Sequence, residues 1–180
     1  MKRQNILLLL GLFLFVSTSS KAQIEIKTNP VSFLFKNFPV KGEYLFTPDW
    51  GAEIGAKTGW SNYTADNGTS ARLKNYGASL AVKHYFIPSA RGGDRFYALL
   101  YDKYRYWEGT SDGPVGRSEV TRNALGLGLG YKWVSRKNFI VETAIGGGKT
   151  TYNKVDNTDL AQVPLLNLDV YWRLDIGYRF

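Results

Sequence analysis

His84 is the only histidine of the chain, and there is no cysteine. Acid–base or nucleophilic chemistry would therefore have one imidazole to work with, and it would need a nucleophile within hydrogen-bond reach. His84 lies two residues from the end of LKNYGASLAVKHYF (73–86), while the hydroxyl-rich segments flank the opposite end of that stretch. We read it as a structural histidine. One histidine without cysteine also makes a poor transition-metal site, and no cofactor is expected. IGGGKT (145–150) is reminiscent of a phosphate loop, but Thr143 stands where that motif needs its first glycine. The alternating glycines of GLGLG (126–130) lack the spacing of a dinucleotide fingerprint. Asp66, Asp112, Asp156 and Asp159 sit among Asn and Gly neighbours, which suits turns. Divalent cations or lipopolysaccharide are the other ligands such residues would take.

The richer chemistry lies in charges that recur at every second position. Lys41 and Glu43 alternate with Val40 and Tyr44, and Glu53 and Lys57 with Ala52, Ile54 and Ala56. Lys83 alternates with Val82, Lys132 with Tyr131 and Trp133, and Glu142 with Val141. Asp169, Arg173, Asp175 and Arg179 alternate with Val170, Trp172, Leu174 and Ile176. A period of two places such charges on one face of a strand and the apolar residues on the other. Both signs occur, so if the charged face is buried its members should pair, because a lone buried charge is costly. Lys132 and Arg179 fall near strand ends, where water at a rim could solvate them instead.

The elements that would position these residues are eight strands, expected over 24–35, 39–47, 50–60, 73–86, 95–107, 120–134, 138–149 and 165–180. The last is the clearest: every even position from Leu166 to Phe180 is apolar or aromatic. Pro30 makes the first irregular, either an edge or a bulge. The fifth carries aromatics on both faces, and its sides stay unassigned. Gly126, Gly128 and Gly130 share the charged-face parity and would leave room for long side chains from across a lumen. Of the links between strands, three of the four odd-numbered ones are long and polar, and the even-numbered ones are short. That sorting is the habit of an outer-membrane barrel with both termini on the short-turn, periplasmic side. Aromatics gather in two bands, Phe46, Trp50, Phe86, Trp133, Phe139, Tyr178 and Phe180 at one end and Trp60, Tyr104, Tyr106 and Trp107 at the other. Trp and Tyr favour lipid–water interfaces.

Composition agrees. Residues 1–22 (basic MKRQN, an apolar run, then Ser20-Lys21-Ala22) have the layout of a cleaved signal peptide, leaving 23–180 as the barrel. Without disulfides, something other than cross-links must stabilise an exported domain of this size. The formal charge of +8 is spread along the chain and marks no nucleic-acid surface. It suits contact with anionic lipid headgroups.

The ending Gly177-Tyr178-Arg179-Phe180 resembles the carboxy-terminal assembly signal of outer-membrane barrels, with Phe180 last and Tyr178 two before it. That resemblance implies recognition by the barrel assembly machinery. Residues 23–180 look like the small OmpA/OmpX-type barrels. KTNPVSFLF (27–35) followed by GEYLFTPDWGAEIG (42–55) is similar to a Bacteroidota family of uncharacterised barrels, the domain of unknown function 3575 family. The resemblance implies an all-β, eight-stranded antiparallel transmembrane up-and-down barrel in the outer membrane. The function expected is non-enzymatic: an envelope or surface-binding protein, monomeric, in contact with outer-membrane lipid and lipopolysaccharide. A narrow ion pore and a lipid A-modifying enzyme are the alternatives.

Overall fold

A computed structural model describes residues 23–64, 70–111, 117–156 and 167–180. The proposed signal peptide and Asp66, Asp112 and Asp159 lie outside the described residues. The described chain is one antiparallel sheet closed on itself, in the order β1 to β8. The strands are β1 (Gln23–Thr28), β2 (Asn37–Leu45), β3 (Trp50–Thr64), β4 (Ser70–Tyr85), β5 (Arg95–Ser111), β6 (Arg117–Val134), β7 (Phe139–Asp156) and β8 (Leu168–Arg179). Among the described residues no helix is long and apolar enough to cross a membrane. Strands meet that need differently, because in a closed sheet they satisfy one another's main-chain groups.

The alternation read from the sequence decides which way each side chain points. Ile26, Val40, Ile54, Leu80, Leu127, Leu129, Ile145, Val170 and Trp172 stand on the exterior, and Ile145 is 71% exposed. Their charged neighbours are buried inside, with Glu25, Lys83, Lys132, Glu142 and Asp175 at 0% exposure. This is the inverse of a soluble protein. β5 is settled as well: Tyr97, Leu99 and Tyr101 are buried, while Phe96, Leu100 and Tyr104 face out. Trp107 belongs with the inward set rather than the outer aromatic band. It shares the parity of Arg105, whose guanidinium lies 5.9 Å from its ring.

Three expectations are corrected. The first strand stops at Thr28, and residues Pro30–Leu34 form a single helical turn, α1. Asn29 caps it by accepting a hydrogen bond from the Ser32 amide at 3.2 Å, and Pro30 opens it with a φ already suited to helix. Secondly, the β3–β4 and β5–β6 links are not long loops, whereas the β7–β8 link still covers 157–167. β3 to β7 run for 15 to 18 residues each, beyond the roughly 9–11 a bilayer needs. Their polar ends continue as paired sheet, so the link between β3 and β4 covers only 65–69. Thirdly, the β6 glycines make room for a neighbouring strand, not for side chains from across the lumen. A β-carbon at Gly126 would collide with the Tyr101 phenol, and one at Gly130 with that of Tyr97. Both tyrosines come from β5, whose Tyr97 and Tyr101 pair with Gly130 and Gly126.

At one end of the barrel the start of β1, the end of β8 and the β4–β5 link are tied together. Phe180 donates its amide to Ile24 at 2.8 Å, which joins the last strand to the first. The β4–β5 link, 86–94, folds under the barrel mouth. The Arg179 guanidinium donates to the Gly92 and Gly93 carbonyls at 2.9 and 2.8 Å. Gly92 and Gly93 both have positive φ, +70° and +55°, conformations that side-chain-bearing residues rarely take.

Two substitutions separate the faces. Leu174→Arg places a guanidinium on the lipid side and is expected to cost about 2–4 kcal/mol. Gly130→Leu drives a side chain into Tyr97 and should cost about 1–3 kcal/mol by overpacking. Both are read from urea unfolding in lipid vesicles, followed by the gel shift between folded and heat-denatured protein.

Candidate functional site

The candidate site is the lumen, which holds two tiers of charge. In the lower tier Glu43, Glu53 and Glu142 converge from β2, β3 and β7, with carboxylate oxygens within 4.8 Å of one another. Three such groups could hold a divalent ion, but two ammonium groups already occupy the space between them. Lys27 donates to Glu53 at 2.7 Å, to Glu142 at 2.6 Å and also to Glu43. Lys83 reaches Glu43, Glu53 and Glu142 at 2.6, 2.8 and 2.7 Å.

Arg173 closes the cluster from β8, bonding Glu53 at 2.5 Å, the Tyr97 hydroxyl at 3.0 Å and Glu142. Lys132 bridges Glu25 at 2.7 Å and Glu43 at 2.9 Å. Arg179 donates to Glu25 through Nε at 2.8 Å. Lys132 and Arg179 are thus buried and paired, and the alternative that they sit in water at a rim is ruled out. Tyr85 adds its hydroxyl to Glu43.

The upper tier is sparser. Lys41 meets Asp175 at 2.6 Å. Asp169 accepts from the Tyr101 hydroxyl at 2.8 Å, and pairs with Lys103 at 2.5 Å and with Arg105. Lys57 is half-buried and forms no ion pair among the described residues.

The structure therefore brings Glu43, Glu53, Lys83, Glu142 and Arg173 into one cluster, and places Lys41, Asp169 and Asp175 above it. Lys57 stands apart. Sequence reasoning misses Glu25 and Lys27, because extending β1 through Pro30 hides a clean alternation with Ile24 and Ile26. It also misses Lys103 and Arg105, whose shared parity with Tyr97 and Tyr101 is masked by the aromatics of the opposite face. The glycines of β6 are the available signal, since each needs a bulky neighbour to fill the space it leaves.

His84 points outward, its ring 4.6 Å from that of Trp50 and 5.3 Å from that of Phe86. No hydrogen-bond partner meets its Nδ1 among the described residues. At the terminus, Tyr178 and Phe180 pack edge to face at 5.1 Å on the exterior. Gly177 faces inward, where a β-carbon would strike the Ile26 carbonyl and the Lys27 stem. Glycine is the residue that lets β8 lie against β1 there.

Residues 6–163 match the family described as "Protein of unknown function (DUF3575)". The chain belongs to this family. Comparison with the curated proteins gives no match. Among solved structures, a major outer membrane protein of Thermus thermophilus shares 14% identity, with a TM-score of 0.54 over 89% of this chain and 100% of that one. Ail, the attachment invasion locus protein of Yersinia pestis, solved with the heparin analogue sucrose octasulfate, gives 14% and 0.51 over 88% and 97%. CarO2 of Acinetobacter baumannii gives 13% and 0.51 over 88% and 98%. At these identities the likeness is one of fold: a closed eight-stranded barrel.

Removing one member of the lower tier leaves its partners buried and uncompensated. Glu142→Gln, with Lys27, Lys83 and Arg173 left behind, should cost about 3–5 kcal/mol in vesicle unfolding. Pairing it with Lys83→Met should recover part of that loss. A double mutant as unstable as the sum of its singles would contradict direct coupling.

Proposed function

We propose that the protein is a non-catalytic integral barrel of a bacterial outer membrane, with both termini periplasmic and the long ends of β3 to β7 rising from the cell surface. One observation carries this reading: a continuous apolar exterior around a lumen whose carboxylates, among the described residues, are all ion-paired. Hydrocarbon tails can cover such an exterior, whereas water would drive it to aggregate. Lipid and lipopolysaccharide are then its constant partners. Gly177, Tyr178 and Phe180 serve as the strand-end signal read by the assembly machinery. It works as a monomer, without cofactor or nucleic acid, in envelope integrity or surface binding.

The pore alternative is weakened by the ion-paired lower tier and by residues 86–94 lying under the terminal mouth. The enzyme alternative is weakened by His84, which faces outward between two aromatic rings. No acid or hydroxyl group bonds it among the described residues.

Fractionation tests location and the assembly signal together. The intact chain should sediment with outer membranes and resist urea extraction. Deletion of Phe180 should reduce the heat-modifiable population several-fold and raise the periplasmic, protease-sensitive one. Planar bilayers containing the refolded protein should show no stable unitary conductance. Reproducible conductance steps would restore the pore.

A further inference from the structure

The two tiers differ in balance. In the lower tier each carboxylate is shared by two or more cations in direct contact. Above it, Lys41, Lys57, Lys103 and Arg105 outnumber the carboxylates they pair with, Asp169 and Asp175, and Asp175 is shared with Arg173 as well. This excess borders a cavity of about 280 Å³, lined among others by Lys41, Lys57, Tyr101, Lys103, Arg105 and one carboxylate, Glu53, which Lys27, Lys83 and Arg173 already hold. The volume lies just under the roughly 300–1,000 Å³ of small-molecule sites, so it suits a compact ligand.

The cavity also has bonding capacity unused by the protein. Arg173, only 2% exposed, lines it, and its Nε has no hydrogen-bond partner, lying 3.5 Å from Asp175 as a long ion pair. Lys57 forms no ion pair among the described residues, and Lys103 and Arg105 share the single carboxylate of Asp169. An anion accepting their hydrogen bonds would offset the cost of holding this excess in a partly desolvated cavity.

The wall beside the cavity is incomplete as sheet. β1 pairs with β8 only as far as Thr28 opposite Ile176, and with β2 only as far as Lys27 opposite Lys41. From Leu168 to Asp175, β8 has no strand on its β1 side. α1 stands in that gap, and Asn29 and Ser32 from its first turn line the cavity. Val170, Trp172 and Leu174, on the same stretch of β8, face the surrounding lipid. An anion could therefore come from the medium above or from a lipid headgroup beside the gap.

We propose that this upper cavity is a binding site for a phosphate-type oxyanion, held by Lys57, Lys103 and Arg105 with Arg173 beneath. The site does not depend on what the surface strands bind, so its failure would leave the envelope reading intact.

The test uses the full-length mature chain in detergent, with folding of every variant verified by heat modifiability. Inorganic phosphate and pyrophosphate are titrated by calorimetry into wild type, Lys57→Gln, Arg105→Gln, Lys57→Arg and the surface control Lys154→Gln. In a second arm, native mass spectrometry records how much added phosphatidylglycerol survives delipidation, with and without competing pyrophosphate. Saturable binding that weakens roughly tenfold in K57Q or R105Q, the weight of one charge-assisted hydrogen bond, supports the site. Retention of affinity in Lys57→Arg and in the control is part of that result. If phosphatidylglycerol is retained, displaced by pyrophosphate and reduced in K57Q, the source is a headgroup. If only the inorganic anions bind, the source is the medium. No saturable binding in either arm, or equal affinities in K57Q, R105Q and the control, overturns the proposal.

Discussion

A sheet in hydrocarbon cannot leave an edge, since each unpaired amide or carbonyl there costs several kcal/mol. Everything else follows from closure. Eight strands enclose a tube barely wide enough for its own side chains, so the inward half of the sequence has to pack there. In this chain that half interleaves charges with glycines and tyrosines, and the result is a core of shared carboxylates and ammonium groups where a soluble domain would hold leucines. Such a core brings little net stability compared with an apolar one of equal volume. It does fix the register, because a one-residue slip would exchange the Glu43 and Glu53 faces for Tyr44 and Ile54.

Size matching between adjacent strands is the second determinant. β6 carries glycine opposite the first three buried residues of β5, and Tyr97, Leu99 and Tyr101 lie in the space so provided. The tyrosines then supply hydroxyls to the charge tiers, through Arg173 below and Asp169 above. Packing and polar satisfaction are thus met largely by the same side chains. The opposite side of the barrel lacks this fit near the far end, where β1 stops and a single helical turn takes its place.

Strand number, closure and the facing of β2, β3, β4, β6, β7 and β8 are legible because a strand exposed to two unlike media writes its period directly into the sequence. β1 and β5 are not, for opposite reasons. In β1 a proline-led turn reads as strand, since KTNPVSF offers no apolar period to mark where extended chain ends. In β5 the tyrosines serve the lumen and other aromatics serve the lipid, so hydrophobicity no longer tells the faces apart. The far-end segments read as loops from their polarity. Polar residues form good strands once they rise above the lipid, and composition alone cannot distinguish the two. The partners within the lumen are beyond sequence reasoning altogether, as they are set by the stagger of strands around the tube.

That stagger bears on how the barrel is built. Lys27 meets Glu142 across 115 positions of chain, and Arg179 meets Glu25 across 154. A nascent sheet of four or five strands would hold Glu43, Glu53 and Lys83 without Arg173, Glu142 or the seam between first and last strands. Partial assemblies are therefore electrostatically unfinished, and their free energy drops only when the ring shuts. Maturation should accordingly be abrupt and late, with the first and last strands meeting in the same event that completes the lower cluster of ion pairs.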